Sequence, residues 1–425
     1  MINGERNILW PSVVRWYAKS SGTTNDKSKF LPVTPEILKG CHYKGGFDTV
    51  SIYLQNNPDS HFFASKGLIL GGSHSPFPLN RNAHCGDLSA VLLQNLNPLV
   101  NLIRVPDKKI ILMDEWESKI KAIVESTWKT DVNSLSGVPS WMLVLIKAVL
   151  QKTGSEYLTD VWPNMEVFFH GGISFEPYRD QYKALIPSDR MHYMETYNAS
   201  EGFFGLQDNP EEHSLLLMID YSVFYEFIPI NEVGEEHPTV LPLEAVEVGK
   251  NYAMVITTSG GLWRYQIGDT VRFTSLYPHK FVISGRTKNF INAFGEELMV
   301  DNADKAISRV CRQTGAKVKE YTAAPLFMLD KAKGRHQWMI EFEKMPPSLD
   351  DFASLLDKTL QQLNSDYEAK RYKEISLQPL EIRVAREGTF YEWLRRKGKL
   401  GGQHKIPRLS NDRTFIEELG KICDS

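Results

Sequence analysis

The chain has 425 residues, of which 42% are hydrophobic and 24% charged, and its formal net charge is -3. A chain of this length exceeds what one hydrophobic core usually supports, so two domains are expected. The near balance of charge gives no electrostatic reason to expect nucleic acid or an anionic membrane as a partner.

Cysteine usage and the N-terminal residues bear on cellular location. The four cysteines are scattered and include no C-x-x-C pair, so neither a disulfide framework nor a zinc site is expected, and the cytoplasm is the simplest location. The opening residues, MINGERNILWPS, lack the regions of a signal peptide. The most hydrophobic stretch, 141–150, is too short to cross a bilayer and predicts a buried helix.

The first two thirds of the chain alternate between helical and strand patterns. Apolar residues at three- and four-residue spacing predict amphipathic helices over 87–103, 115–128 and 141–152. Short apolar runs predict strands over 165–169, 214–219, 223–229 and 252–257. Helices and strands mixed in this way indicate a layered α/β domain.

The pattern changes near Gly285. Beyond it the sequence predicts a helix, two strands, a helix and a strand, over 302–313, 318–329, 336–343, 349–364 and 376–384. This order is typical of a small α+β domain. The predicted domains are residues 1–284 and 285–425, and the absence of a long linker between them is consistent with a hinge.

The segment KSSGTTNDKSK, residues 19–29, contains the residue types that bind polyphosphate. Gly22 allows close approach of the backbone, four hydroxyls flank it, and Lys27 and Lys29 follow. The G-x-x-x-x-G-K-[ST] spacing of a Walker A loop is missing. The alternative is an ordinary solvated turn.

Two further segments supply candidate ligand-binding acids. Gly171 and Gly172 come directly after a strand, where ligands of open α/β sheets bind, and the later segment YNASEG offers Glu201 as an oxygen ligand for Mg²⁺. Asp269, which ends LWRYQIGD, can accept hydrogen bonds from both hydroxyls of a ribose. The alternatives are a solvated loop acid at Glu201 and a Gly-Asp turn at Asp269.

Two basic segments complete the set of candidates. GRTKNFINAFGEE, residues 285–297, lies at the predicted boundary, and its alternative is an ordinary basic loop. In GKLGGQHKIPR, residues 398–408, a lysine on a glycine-flanked loop could stabilise charge developing on an α-phosphate. A flexible basic tail fits equally well, and residue chemistry alone does not choose among Lys397, Lys399 and Lys405.

The order of these segments is more specific than any one of them. Together they resemble the motif series of the ANL superfamily of adenylating enzymes. Within it, SSGTT with DKSKF, YNASEGFFG, LWRYQIGD and GQHKIPR resemble the Gretchen Hagen 3 (GH3) family of acyl–amino acid synthetases, especially its bacterial branch. The resemblance covers nearly the whole chain. It implies a large α/β N-terminal adenylating domain and a small, mobile α+β C-terminal domain.

The resemblance also implies roles for the matching residues. Glu201 would be catalytic and would hold Mg²⁺, Asp269 would bind the ribose hydroxyls, and Arg286 would lie near the ribose. Lys288 would be the pivot of the small domain, and Lys405 would be the catalytic lysine that reaches the α-phosphate during adenylation. The remaining ATP- or AMP-binding residues would be Ser20, Ser21, Gly22, Thr23, Thr24, Gly171, Gly172, Tyr197 and Ser200.

This sequence departs from the family pattern in two ways. Only nineteen residues precede Ser20, so part of the family's N-terminal segment is expected to be missing. The acidic motif reads YNASE where plant relatives have YASSE, although Glu201 stays in register.

The resemblance implies ATP-dependent conversion of a small carboxylic acid into its acyl-AMP. Transfer of the acyl group to an amine, that of an amino acid, would then give an amide and AMP. A ligase with a thiol acceptor such as CoA and a catalytically inactive nucleotide-binding protein are the alternatives. The identity of the acid is not predicted, because apolar pockets leave no spacing signature in a sequence.

Overall fold

A computed structural model describes most of the chain: residues 2, 4–5, 7–8, 13–20, 29–78, 80–176, 178–287, 290–291, 293–294, 296, 298–327, 334–371, 377–398 and 406–424. No helix of these residues is both long and apolar enough to span a membrane.

The part of the chain before residue 287 contains helices and strands in alternation. The helices are α1 (Pro35–Ile37), a π-helix (Leu38–Tyr43), α2 (Lys44–Asn56), α3 (Leu88–Asn95), α4 (Lys108–Ile111), α5 (Trp116–Thr127), α6 (Pro139–Thr153), α7 (Leu158–Val161) and α8 (Arg179–Leu185). The strands are β1 (Trp16–Ser20), β2 (Lys29–Val33), β3 (Lys66–Ile69), β4 (His74–Pro76), β5 (His84–Gly86), β6 (Arg104–Val105), β7 (Val132–Gly137), β8 (Val167–Gly171), β9 (His192–Ala199), β10 (Gly202–Leu206), β11 (Leu215–Leu217), β12 (Val223–Pro229), β13 (Leu241–Pro242), β14 (Asn251–Thr258), β15 (Tyr265–Leu276) and β16 (His279–Arg286).

Twelve of these strands form one mixed sheet, in the order β13-β12-β14-β15-β16-β11-β10-β9-β8-β7-β3-β6. The run from β6 to β9 is parallel, and the remaining pairs are antiparallel. A separate four-stranded sheet has the order β2-β1-β5-β4. The predicted α/β class is therefore confirmed.

Helices cover both faces of the parallel half of the large sheet. Leu38, Tyr53 and Val91, from the helical segments on one face, share a core cluster with Val167 and Phe203. Helices α5 and α6 pack on the opposite face, in a second cluster that contains Leu135 and Phe168. Parallel strands need this double cover, because both faces of such a sheet are apolar.

The C-terminal part is a small α+β unit. It contains β17 (Phe290–Ile291), β18 (Leu298–Met299), β19 (Lys317–Phe327), β20 (Gly334–Lys344) and β21 (Glu381–Ala385), with helices α9 (Val300–Thr314), α10 (Leu349–Leu363), α11 (Ser365–Arg371), α12 (Thr389–Arg396) and α13 (Thr414–Cys423). Strands β19, β20 and β21 form a three-stranded sheet. Helices α9 and α10 share one core cluster with this sheet, and α12 and α13 share another.

Most predicted elements are present within a few residues of their predicted bounds. The helix predicted over 87–103 is too long, since α3 ends at Asn95 and a 3-10 turn follows over Pro98–Leu102. Pro98 lacks an N–H and disfavours helical angles at the preceding residue. Strand β21 begins at Glu381, later than predicted, and residue 376 lies outside the described residues. The division between 284 and 285 falls inside β16 and stays a prediction.

Candidate active site

A cavity of about 1560 Å³ lies at the carboxyl ends of β7, β8 and β9. Strands β15 and β16 form another wall, and α9 with residues 406–408 of the C-terminal part closes a third side. The carboxyl ends of parallel strands are where open α/β sheets bind ligands, because the adjoining loops converge there. The fold therefore gathers residues from both parts of the chain around one site.

The hairpin of β9 and β10 carries the acidic motif to this cavity. Gly202 pairs with Ala199, and the turn between them holds Ser200 and Glu201, both of which line the cavity. A side chain at Gly202 would meet the Phe204 ring at 2.8 Å, so close packing requires glycine here. The local sequence thus fixes a tight turn that exposes Glu201 to the cavity.

Asp269 is held by one side chain from the neighbouring strand β16 and one from the more distant strand β9. Its Oδ2 accepts a hydrogen bond from the Tyr197 hydroxyl at 2.5 Å, and its Oδ1 lies 2.9 Å from Arg286 Nε. Asp269 and Arg286 are cross-strand partners in β15 and β16. Each carboxylate oxygen can accept a further hydrogen bond. Tyr197 and Arg286 therefore orient Asp269 and leave it able to bind a diol.

The strand before Asp269 depends on a glycine for its geometry. Gly268 has φ of +90°, which a residue with a side chain rarely adopts, and its carbonyl accepts from Thr287 N at 2.8 Å. This bond ties the end of β16 to the Gly-Asp pair. The alternative of a Gly-Asp turn is not what the structure has, since both residues lie in β15 and Asp269 pairs with Arg286.

Burial and a neighbouring carboxylate disfavour the ionised form of Glu201. Burial, followed by the charge of Asp269, raises the pKa of Glu201 to about 7, while Arg286 and Lys29 oppose the shift. The same two causes, burial and Asp269, raise the pKa of Tyr197 well above its usual value, so this hydroxyl stays protonated and donates to Asp269. A bound cation would favour the ionised form of Glu201.

Strands β1 and β2 frame the predicted phosphate loop. Ser20 and Lys29 are cross-strand partners, and both line the cavity. Lys29 Nζ donates to the Tyr265 hydroxyl at 3.3 Å, which fixes this cation beside β15. Residues 21–28 of the loop lie outside the described residues.

The loop after β8 forms another wall. A side chain at Gly171 would approach the Thr196 carbonyl oxygen within 2.3 Å, and Gly172 has φ of +83°, so both positions favour glycine. His170 stacks on Phe175 at 4.2 Å, and burial, with the charge of Arg179, lowers its pKa to about 3. The imidazole is therefore neutral, and its Nδ1 has no partner within the described part of the chain.

A charged cluster joins this loop to α9. Glu176 lies 3.1 Å from Arg179 Nε, and it accepts a hydrogen bond from Ser308 Oγ at 3.2 Å. Glu195 lines the cavity nearby, and burial raises its pKa to about 7, with Arg179 opposing the shift. Sequence reasoning missed this cluster, because its members come from three separate segments without a shared motif.

Arg408 anchors the end of the late basic segment against the cavity. It is paired with Glu320, lies 4.5 Å from the centre of the Tyr321 ring, and donates to the Tyr178 hydroxyl at 3.2 Å. The partners Tyr178 and Glu320 belong to different parts of the chain. The last residues of the GQHKIPR motif are thus fixed between them.

The structure brings together all the predicted site residues that it describes. Those that line the cavity are Ser20, Gly171, Gly172, Tyr197, Ser200, Glu201, Asp269 and Arg286. The others, Ser21, Gly22, Thr23, Thr24, Lys288 and Lys405, lie outside the described residues, and their roles stay predictions. The described part of the chain holds no group of three or more His, Cys, Asp or Glu side chains able to bind a metal by themselves.

Two plant proteins, one named as an amido synthetase and the other as a ligase, are similar in sequence to this chain. It is 30% identical to the indole-3-acetic acid-amido synthetase GH3.4 of Arabidopsis thaliana over 448 residues, covering 96% of this chain and 70% of the relative. It is 27% identical to the 4-substituted benzoates-glutamate ligase GH3.12 of Arabidopsis thaliana, covering 73% of this chain and 59% of that relative.

Solved structures show a similar fold. The GH3.15 acyl acid amido synthetase superposes with a TM-score of 0.77 at 18% identity, covering 99% of this chain and 83% of that one. A 2-hydroxyisobutyryl-CoA ligase in its postadenylation state superposes with a TM-score of 0.56 at 12% identity, covering 96% and 76%. The fold is therefore shared by ligases that use different acceptors.

Family descriptions account for most of the chain. Residues 1–191 match the GH3 family N-terminal domain, residues 216–286 the GH3 family central domain, and residues 301–414 the GH3 family C-terminal domain. Together with the 30% identity over nearly the whole chain, these matches show that the chain belongs to the GH3 family.

Proposed function

We propose that the chain is an ATP-dependent, adenylate-forming ligase that joins a small carboxylic acid to the amine of an amino acid. The observation that carries this proposal is the convergence of Glu201, Asp269 and Arg286 with the Gly171–Gly172 loop in one cavity. A carboxylate is a poor acyl donor to an amine, and conversion to the acyl-AMP supplies a good leaving group. The relatives named above are amido synthetases or ligases of this kind.

The nucleotide is assigned to the wall formed by β9, β15 and β16. Asp269 accepts hydrogen bonds from the ribose hydroxyls, with Tyr197 and Arg286 holding its carboxylate in place. Residues 20–24 cradle the phosphates, and Lys29, at the end of the same hairpin, supplies positive charge. Little covalent chemistry falls to the protein, so positioning and charge stabilisation account for its contribution.

Mg²⁺ fits this donor set. A magnesium ion that binds nucleotide is commonly held by one or two carboxylates together with phosphate oxygens, so Glu201 alone is a sufficient protein ligand. Burial and the charge of Asp269 raise the pKa of Glu201, and a cation bound there would favour its ionised form. The ion would screen the phosphate charge that the attacking carboxylate must approach.

Two lysines outside the described residues complete the proposal. Lys405 reaches the α-phosphate during adenylation, and Lys288 is the pivot about which residues 285–425 rotate before amide formation. Support comes from Arg408, which lies beside the cavity three positions after Lys405. Further support comes from β16, which ends two positions before Lys288.

The acceptor is assigned as an amine because the similar curated proteins are amido synthetases or a glutamate ligase. The shared fold alone does not decide this, since a CoA ligase has it too. We also propose a cytoplasmic location, supported by four free cysteines, and the bacterial branch of the family, supported by the YNASE motif.

The test separates the two half-reactions. Pyrophosphate release is measured with Mg·ATP and a panel of carboxylic acids, and AMP release is measured with added amino acids or CoA. Lys405→Ala is expected to abolish adenylation while leaving amide formation from supplied acyl-AMP largely intact, and Lys399→Ala is the matched control. Acceleration by CoA and not by amino acids, or loss of both half-reactions in Lys405→Ala, would contradict the proposal.

A further inference from the structure

The cavity is lined in two unlike ways. Helices α2 and α3 contribute apolar side chains, among them Phe47, Val50, Leu92, Leu93 and Leu96. The loop after β8, strand β9 and helix α9 contribute charged side chains, which include Glu176, Arg179, Glu195, Asp301, Lys305 and Arg312. A charged group of a ligand is stabilised away from water only when it is paired, so the charged wall suits a ligand that itself carries charge.

Arg179 is held in this wall through its Nε atom and through one face of its guanidinium. The Nε atom lies 3.1 Å from Glu176 Oε2, and the guanidinium carbon lies 5.0 Å from the centre of the Phe175 ring. The other oxygen of Glu176 accepts from Ser308 Oγ at 3.2 Å and lies 3.6 Å from Arg312 Nη1. Among the described residues, Nη1 and Nη2 of Arg179 have no hydrogen-bond partner, and the side chain is 24% exposed. A guanidinium with both terminal nitrogens available can bind a carboxylate through two parallel hydrogen bonds.

Glu195 is an unpaired carboxylate of the same wall. In the part of the chain that the structure describes, its side chain has no hydrogen bond or ion pair, although its backbone N–H donates to a neighbouring strand. Asp301, in contrast, lies 3.1 Å from Arg272 Nη2 and 2.9 Å from Lys305 Nζ, so cations of the chain already neutralise it. Burial raises the pKa of Glu195 to about 7, and the charge of Arg179 opposes this shift. A ligand cation at Glu195 would likewise favour the ionised carboxylate.

Glu195 lies next to the residues assigned to the nucleotide. It precedes Tyr197 by two positions on β9, and the Tyr197 hydroxyl donates to Asp269. Alternate residues of a strand point to the same side of the sheet, and two positions span about 7 Å. Arg179 begins the helix that follows β8, the strand paired with β9. A ligand held by both side chains would therefore lie on the side of the cavity where the acyl-AMP is expected.

We propose that the acceptor is a free α-amino acid that binds this charged wall, with its carboxylate on Arg179 and its ammonium on Glu195. This inference rests on the proposed function, which assigns an amine as the acceptor, and it adds the residues that recognise the amino acid. The two unpaired groups have opposite charge, as do the two ends of an amino acid zwitterion. His213 also lines the cavity but adds no charge at neutral pH, because burial and the charge of Arg179 lower its pKa. An amine without a carboxylate would leave Arg179 unpaired.

The test compares acceptors that differ only in the charge of the carboxyl group. AMP release is measured with the acyl-AMP of the acid that gives the fastest pyrophosphate release, and with matched pairs of an L-amino acid and its amide. Wild type is expected to prefer the amino acid by roughly 10- to 100-fold in kcat/KM, the effect of hydrogen bonds to a charged group. Arg179→Met is expected to bring this ratio near one, whereas Arg179→Lys keeps a cation and should retain part of it. Arg190→Met, which removes an exposed arginine, is the control and retains the ratio.

A second variant guards against misfolding of Arg179→Met, because Arg179 also pairs with Glu176. Glu195→Gln keeps the size of the side chain and removes the charge that pairs with the ammonium. Since an amino acid and its amide both carry this ammonium, kcat/KM should fall by roughly tenfold for both, and their ratio should stay as in wild type. An unchanged ratio in Arg179→Met, or undiminished kcat/KM in Glu195→Gln, would overturn the inference. Equal kcat/KM for amino acids and their amides in wild type would overturn it and leave amide formation standing, whereas no AMP release with any amine would refute the proposed function as well.

Discussion

At the scale of single residues, the site depends on charged groups that separate strands of the large sheet bring together. In the sequence, Asp269 is only the second residue of a Gly-Asp pair. In the structure, Tyr197 and Arg286 orient both of its carboxylate oxygens. Glu201 and Glu195 reach the same cavity with pKa values near 7, each for the same first reason, burial. Burial and charge, which are set by the fold, therefore decide how these acids behave.

The first prediction concerns ribose binding. Asp269→Ala removes the acceptor of both hydroxyls and is expected to weaken Mg·ATP binding by roughly 1.5–3 kcal/mol, the range for hydrogen bonds to a charged group. Titration calorimetry measures the affinity, and Asp220→Ala, at an exposed acid paired with Lys44, is the control. Equal affinities of wild type and Asp269→Ala would rule out the ribose assignment.

The second prediction concerns pH. Burial raises the pKa of Glu195 from 4.5 to about 7 in the folded chain. The protonated carboxyl therefore stabilises the folded state. This stabilisation is fully present below the pKa that Glu195 has in the unfolded chain, and it is lost as the pH rises through about 7. A glutamine does not ionise, so Glu195→Gln does not lose this contribution. The free energy of unfolding of Glu195→Gln minus that of wild type should therefore increase from low to high pH, by on the order of 2 kcal/mol.

Denaturant unfolding at about pH 5 and pH 8 measures this difference. Glu236→Gln, at an exposed position, is the control and should show the same small effect at both values. A Glu195→Gln advantage that does not grow with pH would mean that this carboxyl titrates normally.

At the scale of elements, α6 shows how local signals and packing combine. Pro139 occupies its first turn, and Gly154 ends it with φ of +69°, both common at these helix positions. Its apolar stripe packs on the large sheet, where Ile146 is 1% exposed. The helix is thus specified at its ends by the sequence and held in place by the core.

The third prediction concerns this core. Ile146→Ala is expected to lower the free energy of unfolding by about 2–5 kcal/mol, because it removes buried methyl groups and leaves a cavity. Val144→Ala, at a position of the same helix that is 43% exposed, should cost much less. Chemical denaturation compares the two variants, and similar losses would mean that this face of α6 does not carry the core contact.

At the scale of the whole molecule, the cavity joins two parts with separate cores. Ser308 of α9 donates to Glu176, and Arg408 contacts Tyr178, so the C-terminal part contacts the loop after β8 directly. Ion pairs of Lys147 with Glu343 and of Arg312 with Glu176 also join the two parts, and Trp141 packs against the apolar cluster of α12 and α13. Rotation about a short segment after β16 would exchange them for others.

The fourth prediction concerns that rotation. Proline fixes φ near −65° and removes an N–H, so Lys288→Pro should hold one domain arrangement, retain one half-reaction and lose the other. Lys288→Ala removes the same charge but leaves the backbone free, and it should support both half-reactions. Separate assays of acyl-AMP formation and of amide formation measure this, together with the thermal midpoint. Loss of both activities with a large fall in midpoint would show that the segment is structural.

The sequence by itself determined the fold class, the long amphipathic helices and the order of the site motifs. These are properties of neighbouring residues, since periodicity, turn chemistry and motif spacing are all local. The main wrong prediction from local pattern is the helix that continues through Pro98. It followed the spacing of apolar residues and neglected the proline, which disfavours a continuous helix.

Only the tertiary structure decided which charged groups share an environment. Tyr197 and Asp269 are 72 residues apart in the chain, and their contact depends on the order of strands in the twelve-stranded sheet. Arg104 is an ordinary basic residue in the sequence, but in the fold it pairs with Gly67 of β3 and is buried. Burial and distance depend on strand order, and strand order is set by packing between segments far apart in the chain, which no local pattern encodes.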